Sequence, residues 1–168
     1  MADVQIWSRP SGLIIRRVSG CVFRSAQPKD LADWEFMRDS LGIDTVVKLN
    51  TESEGSDKGG RALGFAVHDY AIPPIGDGPI LQEIAGIFER PNMGKIEEAM
   101  EIAAAGNCLV HCTHGEDRTG LVCGIYRVRY DGWSTKEAWD EMIALGYHPE
   151  FIGLDRAWFM ECSAGRGV

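Results

Sequence analysis

No run of apolar residues in this sequence approaches the ~18 residues that a membrane-spanning helix needs. The opening Met1-Ala2-Asp3-Val4 lacks a basic stretch followed by an apolar one, so no secretory signal is expected. There is no Cys-x-x-Cys element, and Cys21, Cys108, Cys112, Cys123 and Cys162 are odd in number. Neither a disulfide framework nor a zinc ribbon is therefore expected, and a reducing, cytoplasmic setting is the default. Basic residues are the scarcer charge: 17 Lys+Arg against 25 Asp+Glu give a net charge of −8. A surface that wraps nucleic acid needs the opposite balance, so nucleic acid and membrane surfaces are not expected partners. One small basic pocket remains compatible with that total.

What is present suits a single globular domain over residues 1–168, with 45% hydrophobic and 25% charged residues and enough apolar material for one sizeable core. Leu13–Val18 and Cys21–Arg24 read as strands on either side of a break at Gly20. Pro28 opens a helix whose apolar positions Leu31, Trp34, Met37 and Leu41 recur at helical steps, and Gly42 closes it. Asp44–Leu49 reads as a buried strand, residues 51–61 as a polar loop, and Phe65–Ile72 as another strand. Next comes Pro73-Pro74-Ile75-Gly76-Asp77-Gly78-Pro79, an aperiodic loop of the kind that often carries function, with an insertion-like stretch after it to Met93. Helices are expected over Gly94–Ala105, Leu121–Tyr130, from the Ser134–Glu137 capping box to Gly146, and over Phe151–Glu161, with a strand at Asn107–His111. Strands alternating with helices give an α/β class with a central, mostly parallel sheet of four or five strands.

The chemistry is concentrated in His111 to Gly120, a strand running through a tight loop into a helix. A helix N-terminus turns unpaired N–H groups and a partial positive charge toward such a loop. Gly115 lets successive N–H groups converge into an anion-binding nest. Arg118 supplies a planar fork that fits phosphate oxygens. Cys112, at the base of this cradle, is placed where the helix end and Arg118 favour thiolate over thiol. A thiolate under a bound phosphoryl group can attack phosphorus and form a cysteinyl-phosphate, and Thr119 is positioned to hydrogen-bond the sulfur.

These residues resemble the signature of the protein tyrosine phosphatase superfamily, His-Cys-x-x-Gly-x-x-Arg-Ser/Thr-Gly, met at His111, Cys112, Gly115, Arg118, Thr119 and Gly120. Cys21-Val22-Phe23-Arg24-Ser25-Ala26-Gln27-Pro28 and Gly42-Ile43-Asp44-Thr45-Val46-Val47-Lys48-Leu49 resemble segments of small dual-specificity-like phosphatases, so the similarity spans Leu13 to Tyr130. The resemblance implies a sheet flanked by helices and neither metal nor organic cofactor. It further implies Cys112 as nucleophile, Arg118 and the 113–118 N–H groups as phosphate cradle, Thr119 as thiolate stabiliser and His111 as a support for loop geometry. It also implies a general acid, for which Asp77 on the Pro/Gly loop is placed ahead of Asp117 beside the signature arginine.

Blander readings compete at several positions. Gly-Asp-Gly around Asp77 is also an ordinary turn, and Cys108 suits packing better than a disulfide to Cys112. Cys21 is a conceivable redox partner of Cys112. Lys48, Lys58 and Arg61 read either as rim residues that contact further phosphates or as solvated charge. Trp133 and Trp139 read as packing. A metal site at His111, Cys112 and His114 is disfavoured because adjacent strand residues face opposite ways. The expected substrate is a phosphorylated protein or small phosphomonoester, with phosphotyrosine or mixed phosphoproteins favoured because Glu116 and Asp117 repel polyphosphates. An inositol phosphate or phosphoinositide phosphatase is the alternative, followed by a catalytically silent phospho-binding module and by arsenate reduction or sulfur transfer on a Cys-x5-Arg loop.

Overall fold

Short β-branched strands alternate with helices to build an α/β fold in this computed structural model, which describes residues 5–72, 93–150 and 152–164. The strands are β1 (Ile6–Ser8), β2 (Ile14–Ser19), β3 (Val22–Ser25), β4 (Thr45–Lys48), β5 (Ala66–Asp69) and β6 (Cys108–His111). They form one sheet in the order β1-β2-β3-β6-β4-β5. The pairs β3–β6, β6–β4 and β4–β5 are parallel, whereas β1–β2 and β2–β3 are antiparallel. The sheet thus has six described strands, where four or five were expected. The addition is β1, whose three residues are too few to show an alternating pattern in sequence.

The helices are α1 (Leu31–Leu41), α2 (Lys58–Ala62), α3 (Met93–Ala104), α4 (Asp117–Tyr130), α5 (Thr135–Ala144) and α6 (Ile152–Ala164). Gly42 closes α1 at φ 67°, and the next residue, Ile43, donates its N–H to Met37 O at 3.0 Å. The Ser134 and Glu137 capping box opens α5 as read, with Ser134 Oγ accepting from Glu137 N at 3.2 Å and Ser134 N donating to Glu137 Oε2 at 2.9 Å. Helix α2 lies in the stretch expected to be loop. It is held against Trp34, whose ring stands so close that a Cβ at Gly60 would meet it at 2.8 Å. Helix α4 begins at Asp117 and not at Leu121, because its first turn is polar and hides the apolar periodicity.

Period-two alternation splits the core between the two faces of the sheet. Val46 and Leu109 pack with Ile15, Phe23, Trp34 and Met37. Val47 and Val110 pack with Leu121, Ile125, Met142 and Trp158. Each such side chain contributes roughly 1.5–3 kcal/mol by leaving water. Cys108 belongs to the second cluster and is fully buried, which pushes its thiol up to about 12. It packs, as expected, and is not bridged to Cys112. Trp133 and Trp139 also pack against this cluster, and the Arg127 guanidinium lies 4.1 Å over the Trp133 ring.

The register fixes where function can sit. Ser25 pairs with His111, His111 with Lys48, and Lys48 with Asp69, so four parallel strands end in one row. The loops leaving that row converge at the carboxyl edge, the usual place for a ligand in an open α/β sheet. Among the described residues no helix is long and apolar enough to cross a membrane.

Candidate active site

The chain leaves β6 at His111 and enters α4 at Asp117, so Cys112 to Glu116 form the loop between them. Gly115 makes the turn at φ 75°. A Cβ there would stand 2.5 Å from the carbonyl carbon and oxygen of Ser25. Both a left-handed backbone and a close approach therefore demand glycine. Gly115→Ala is expected to cost about 1–3 kcal/mol of stability and most of the turnover, because neighbouring backbone cannot step aside. A thermal melt and an assay unchanged by that substitution would contradict the loop geometry.

The loop is anchored from β3 and the residues after it. Arg24 Nη2 donates to Gly115 O at 2.6 Å, and Gln27 N donates to Thr113 O at 3.2 Å. Cys112 is 3% exposed, and its Sγ accepts the Gly115 N–H at 3.3 Å. The Thr119 hydroxyl, expected to bond this sulfur, is buried without a hydrogen-bond partner among the described residues. The first turn of α4 has no side-chain cap at Glu116, so its N–H groups and the positive end of the helix dipole stay available.

Arg118 is clamped from the loop after β4. Its Nη2 donates to Glu54 Oε1 at 2.7 Å and to Thr113 Oγ1 at 3.1 Å, while Nη1 donates to Glu54 Oε2 at 3.1 Å. Nη1 also reaches Leu49 O and Ile72 O, each at 3.4 Å. Burial opposes the charge on Arg118, but Glu54 and the Cys112 sulfur outweigh it and raise its pKa. The same bidentate bond lowers the Glu54 carboxyl to about 2. Glu54 takes the Nη1–Nη2 end of the fork, and the Thr113 hydroxyl meets Nη2 as well, so a ligand on the Nε–Nη2 edge would have to displace that hydroxyl.

Residues 50–57 do more than close a loop, and this was missed in the sequence. Three of their acids each hold a side-chain donor: Glu52 takes Lys48 at 2.8 Å, Glu54 takes Arg118, and Asp57 takes His111 Nε2 at 2.9 Å. Gln27 Nε2 donates to Asp57 Oδ1 at 2.6 Å, and Asn50 Nδ2 donates to Gln27 Oε1 at 3.0 Å. Burial works against charge on Asp57, but the bonds from His111 and Gln27 and the nearby Lys48 outweigh it and lower its pKa. His111 Nε2 is then the donor, and the imidazole is fixed directly before Cys112.

A cavity of about 500 Å³ opens here, lined by Glu54, Cys112, Thr113, His114, Glu116, Asp117, Arg118, His148, Glu150 and Leu154. It gathers the expected loop residues except Gly115, which faces a second cavity. Asp77 lies outside the described residues. Asp117 Oδ1 accepts from the His148 backbone N–H at 2.8 Å and meets the His148 ring Nδ1 at 3.0 Å. That contact raises the His148 pKa above its ordinary value and ties the α5–α6 connection to the start of α4. Glu116, Asp117 and His148 bring ligand atoms within 4.8 Å of one another, two of them already joined in this bond.

Three rim readings are corrected. Lys48 is fully buried, with Nζ on Glu52 and on Gly55 O at 2.5 Å, because a strand-end lysine can turn inward when acids meet it. Arg61 pairs with Asp69, and neither it nor Lys58 lines the cavity. Cys21 accepts the Cys108 N–H at the start of β6, so it sits a strand length from Cys112 and is no redox partner for it.

A buried cysteine under a glycine-turned loop, with an arginine from the following helix beside it, defines the class of cysteine-based phosphatase loops. The profile of the tyrosine phosphatase family matches residues 11–127, and the chain belongs to that family. It is 42% identical over 136 residues to the dual specificity protein phosphatase TpbA of Pseudomonas aeruginosa, covering 80% of this chain and 55% of TpbA. The chain thus spans about half the length of that curated relative. Among solved structures, PTPMT1 in complex with PI(5)P is similar with a TM-score of 0.64 at 17% identity, over 90% of this chain and 98% of that one. The core catalytic domain of the PP-IP phosphatase SIW14 from S. cerevisiae is similar with a TM-score of 0.63 at 20% identity, over 84% and 83% of the two chains. A cysteine-to-serine variant of TpbA with bound pTyr has a TM-score of 0.61 at 20% identity, over 99% of this chain and 91% of that one. At these identities the structural likenesses speak for the fold.

Proposed function

We propose that this chain is a phosphomonoester hydrolase that works through a cysteinyl-phosphate on Cys112 and prefers phosphotyrosine or mixed phosphoprotein substrates. The observation that carries this is the juxtaposition of Cys112 Sγ with the Gly115 N–H and with a charged, clamped Arg118 at one cavity. The phosphoryl oxygens take the loop N–H groups and the Nε–Nη2 edge of Arg118, where they displace the Thr113 hydroxyl. Sulfur attacks phosphorus in line, and the ester oxygen leaves as an acid protonates it. Water then attacks the cysteinyl-phosphate and returns the thiolate. The Thr119 hydroxyl, which has no hydrogen-bond partner among the described residues, is available to bond that thiolate as it leaves. Rapid-quench assay with p-nitrophenyl phosphate tests the reading: a burst of p-nitrophenol near one equivalent is expected. Slow linear release that no Cys112 variant changes would defeat it.

Asp77 is the proposed general acid. Asp117 Oδ1 is already engaged by two His148 nitrogens, which supports giving Asp117 a positioning role. Asp77→Asn is expected to lower turnover at least ~10²-fold, the low end for acid–base catalysis. Asp117→Asn should cost less. The reverse order in a side-by-side assay would exchange the two assignments.

The substrate preference rests on the cavity wall, where Glu54, Glu116, Asp117 and Glu150 outnumber the single guanidinium. An inositol phosphate or phosphoinositide is the second reading, favoured by the His148 ring, which gains positive charge as pH falls. Phosphate release from a phosphotyrosine peptide and from inositol hexakisphosphate, measured together, separates the two. The TpbA, PTPMT1 and SIW14 likenesses are compatible with both.

A further inference from the structure

A second cavity, of about 400 Å³, borders the Cys112–Arg118 loop and shares His114 and Glu116 with the first. Its walls include Arg16 of β2, Arg24 and Ser25 of β3, the loop backbone at Gly115, Glu116, and Gly146 after α5. Arg16 and Arg24 are direct cross-strand partners, so their side chains leave the same face of the sheet. Like charges placed this way repel. Burial and the Arg24 charge both lower the Arg16 pKa. Neither arginine has a carboxylate partner among the described residues. Glu116 is the carboxylate on the wall, and it forms no ion pair with either. Arg24 is 3% exposed; its Nη2 holds Gly115 O at 2.6 Å, while its buried Nη1 has no partner among the described residues.

A buried, partnerless guanidinium nitrogen is costly, and two neighbouring guanidiniums without a counter-ion are costlier still. A tetrahedral oxyanion in the cavity supplies the counter-charge that both guanidiniums lack, with the Arg16 fork donating to it directly. We propose that this cavity is a second anion site, taking one phosphate-class oxyanion between Arg16 and Arg24, separate from the phosphoryl cradle over Cys112. The site shares Arg24 with the loop: the guanidinium that would hold the anion also holds Gly115 O, and Gly115 N holds the Cys112 sulfur. Binding in the two places is therefore energetically linked, and reciprocally so.

Inorganic phosphate is the probe, titrated calorimetrically into the full chain at constant ionic strength with chloride as control. The wild-type chain is expected to bind two phosphates, and Arg118→Met, which disables the cradle, is expected to keep one. Adding Arg16→Gln to Arg118→Met should weaken that remaining site at least about tenfold, as loss of a charge-assisted bond predicts. Arg16→Gln alone should bind one phosphate and melt no lower than wild type without phosphate, since it relieves a like-charge pair. The proposal falls if Arg118→Met binds no phosphate, or if the remaining site ignores Arg16→Gln. If Arg118→Met does not fold, the stoichiometry of wild type against Arg16→Gln decides alone: one phosphate in both overturns the proposal. Because the readout is binding, it is independent of whether the chain hydrolyses phosphomonoesters.

Discussion

Cys112→Ser is expected to lower turnover of p-nitrophenyl phosphate by roughly 10⁴-fold or more and to remove the burst, the scale seen when a covalent nucleophile is deleted. Phosphate binding should survive. The groups that would hold the anion are the loop N–H groups and Arg118, and neither depends on sulfur. The substitution is also small in volume, and Gly115 N–H finds an oxygen where it had sulfur at 3.3 Å. Affinity should therefore hold. A variant that keeps the burst would move the nucleophile elsewhere. A variant that loses both turnover and phosphate binding would mean that the loop collapses without its sulfur, and a thermal melt would show that directly.

The Cys112–Arg118 loop was legible in sequence because everything it needs is local. His111, Cys112, Gly115, Arg118 and Thr119 lie within nine positions, and the flanking strand and helix show their own periodicity. The same locality made α1, α5 and the strands β2 to β6 readable. The device that orients the loop was not legible. Glu52, Glu54 and Asp57 sit in a polar, glycine-containing stretch with the composition of a solvated turn. Only the register of β4 against β6 reveals that this stretch lands on Lys48, Arg118 and His111. Glu54 and Arg118 are 64 positions apart, and Asp57 and His111 are 54 apart. No pattern along the chain encodes such a pairing. Gln27 belonged to a recognised motif, but its role shows only in space, with its backbone on Thr113 and its amide on Asp57.

Arg118→Lys carries the second large effect, an expected fall in turnover of about 10²–10³-fold, the scale of losing one preorganised transition-state donor. Lysine keeps the charge but not the fork. The guanidinium serves Glu54 through Nη1 and Nη2, and in the proposed mechanism its Nε–Nη2 edge, freed of the Thr113 hydroxyl, holds the phosphoryl group, so one planar group would meet two anions without choosing between them. An ammonium must choose, and Glu54 is the fixed competitor. Its carboxyl is held at about 2 by Arg118, so it is ionised throughout the neutral range. The sign of the linkage follows: the pair's contribution is complete above the ordinary glutamate value of 4.5 and is lost as pH falls toward 2. Neutral-pH assays therefore probe the ionised pair. Glu54→Gln alone should weaken catalysis modestly, because Arg118 loses its clamp while keeping its Thr113, Leu49 and Ile72 bonds. In the Arg118→Lys background the same change should raise activity, because it removes an anion that draws the lysine away from phosphate. A double-mutant cycle with this change of sign is the expected result. Simple additivity would mean that Glu54 does not compete for the cation at residue 118, and the division of the guanidinium between clamp and substrate would be wrong.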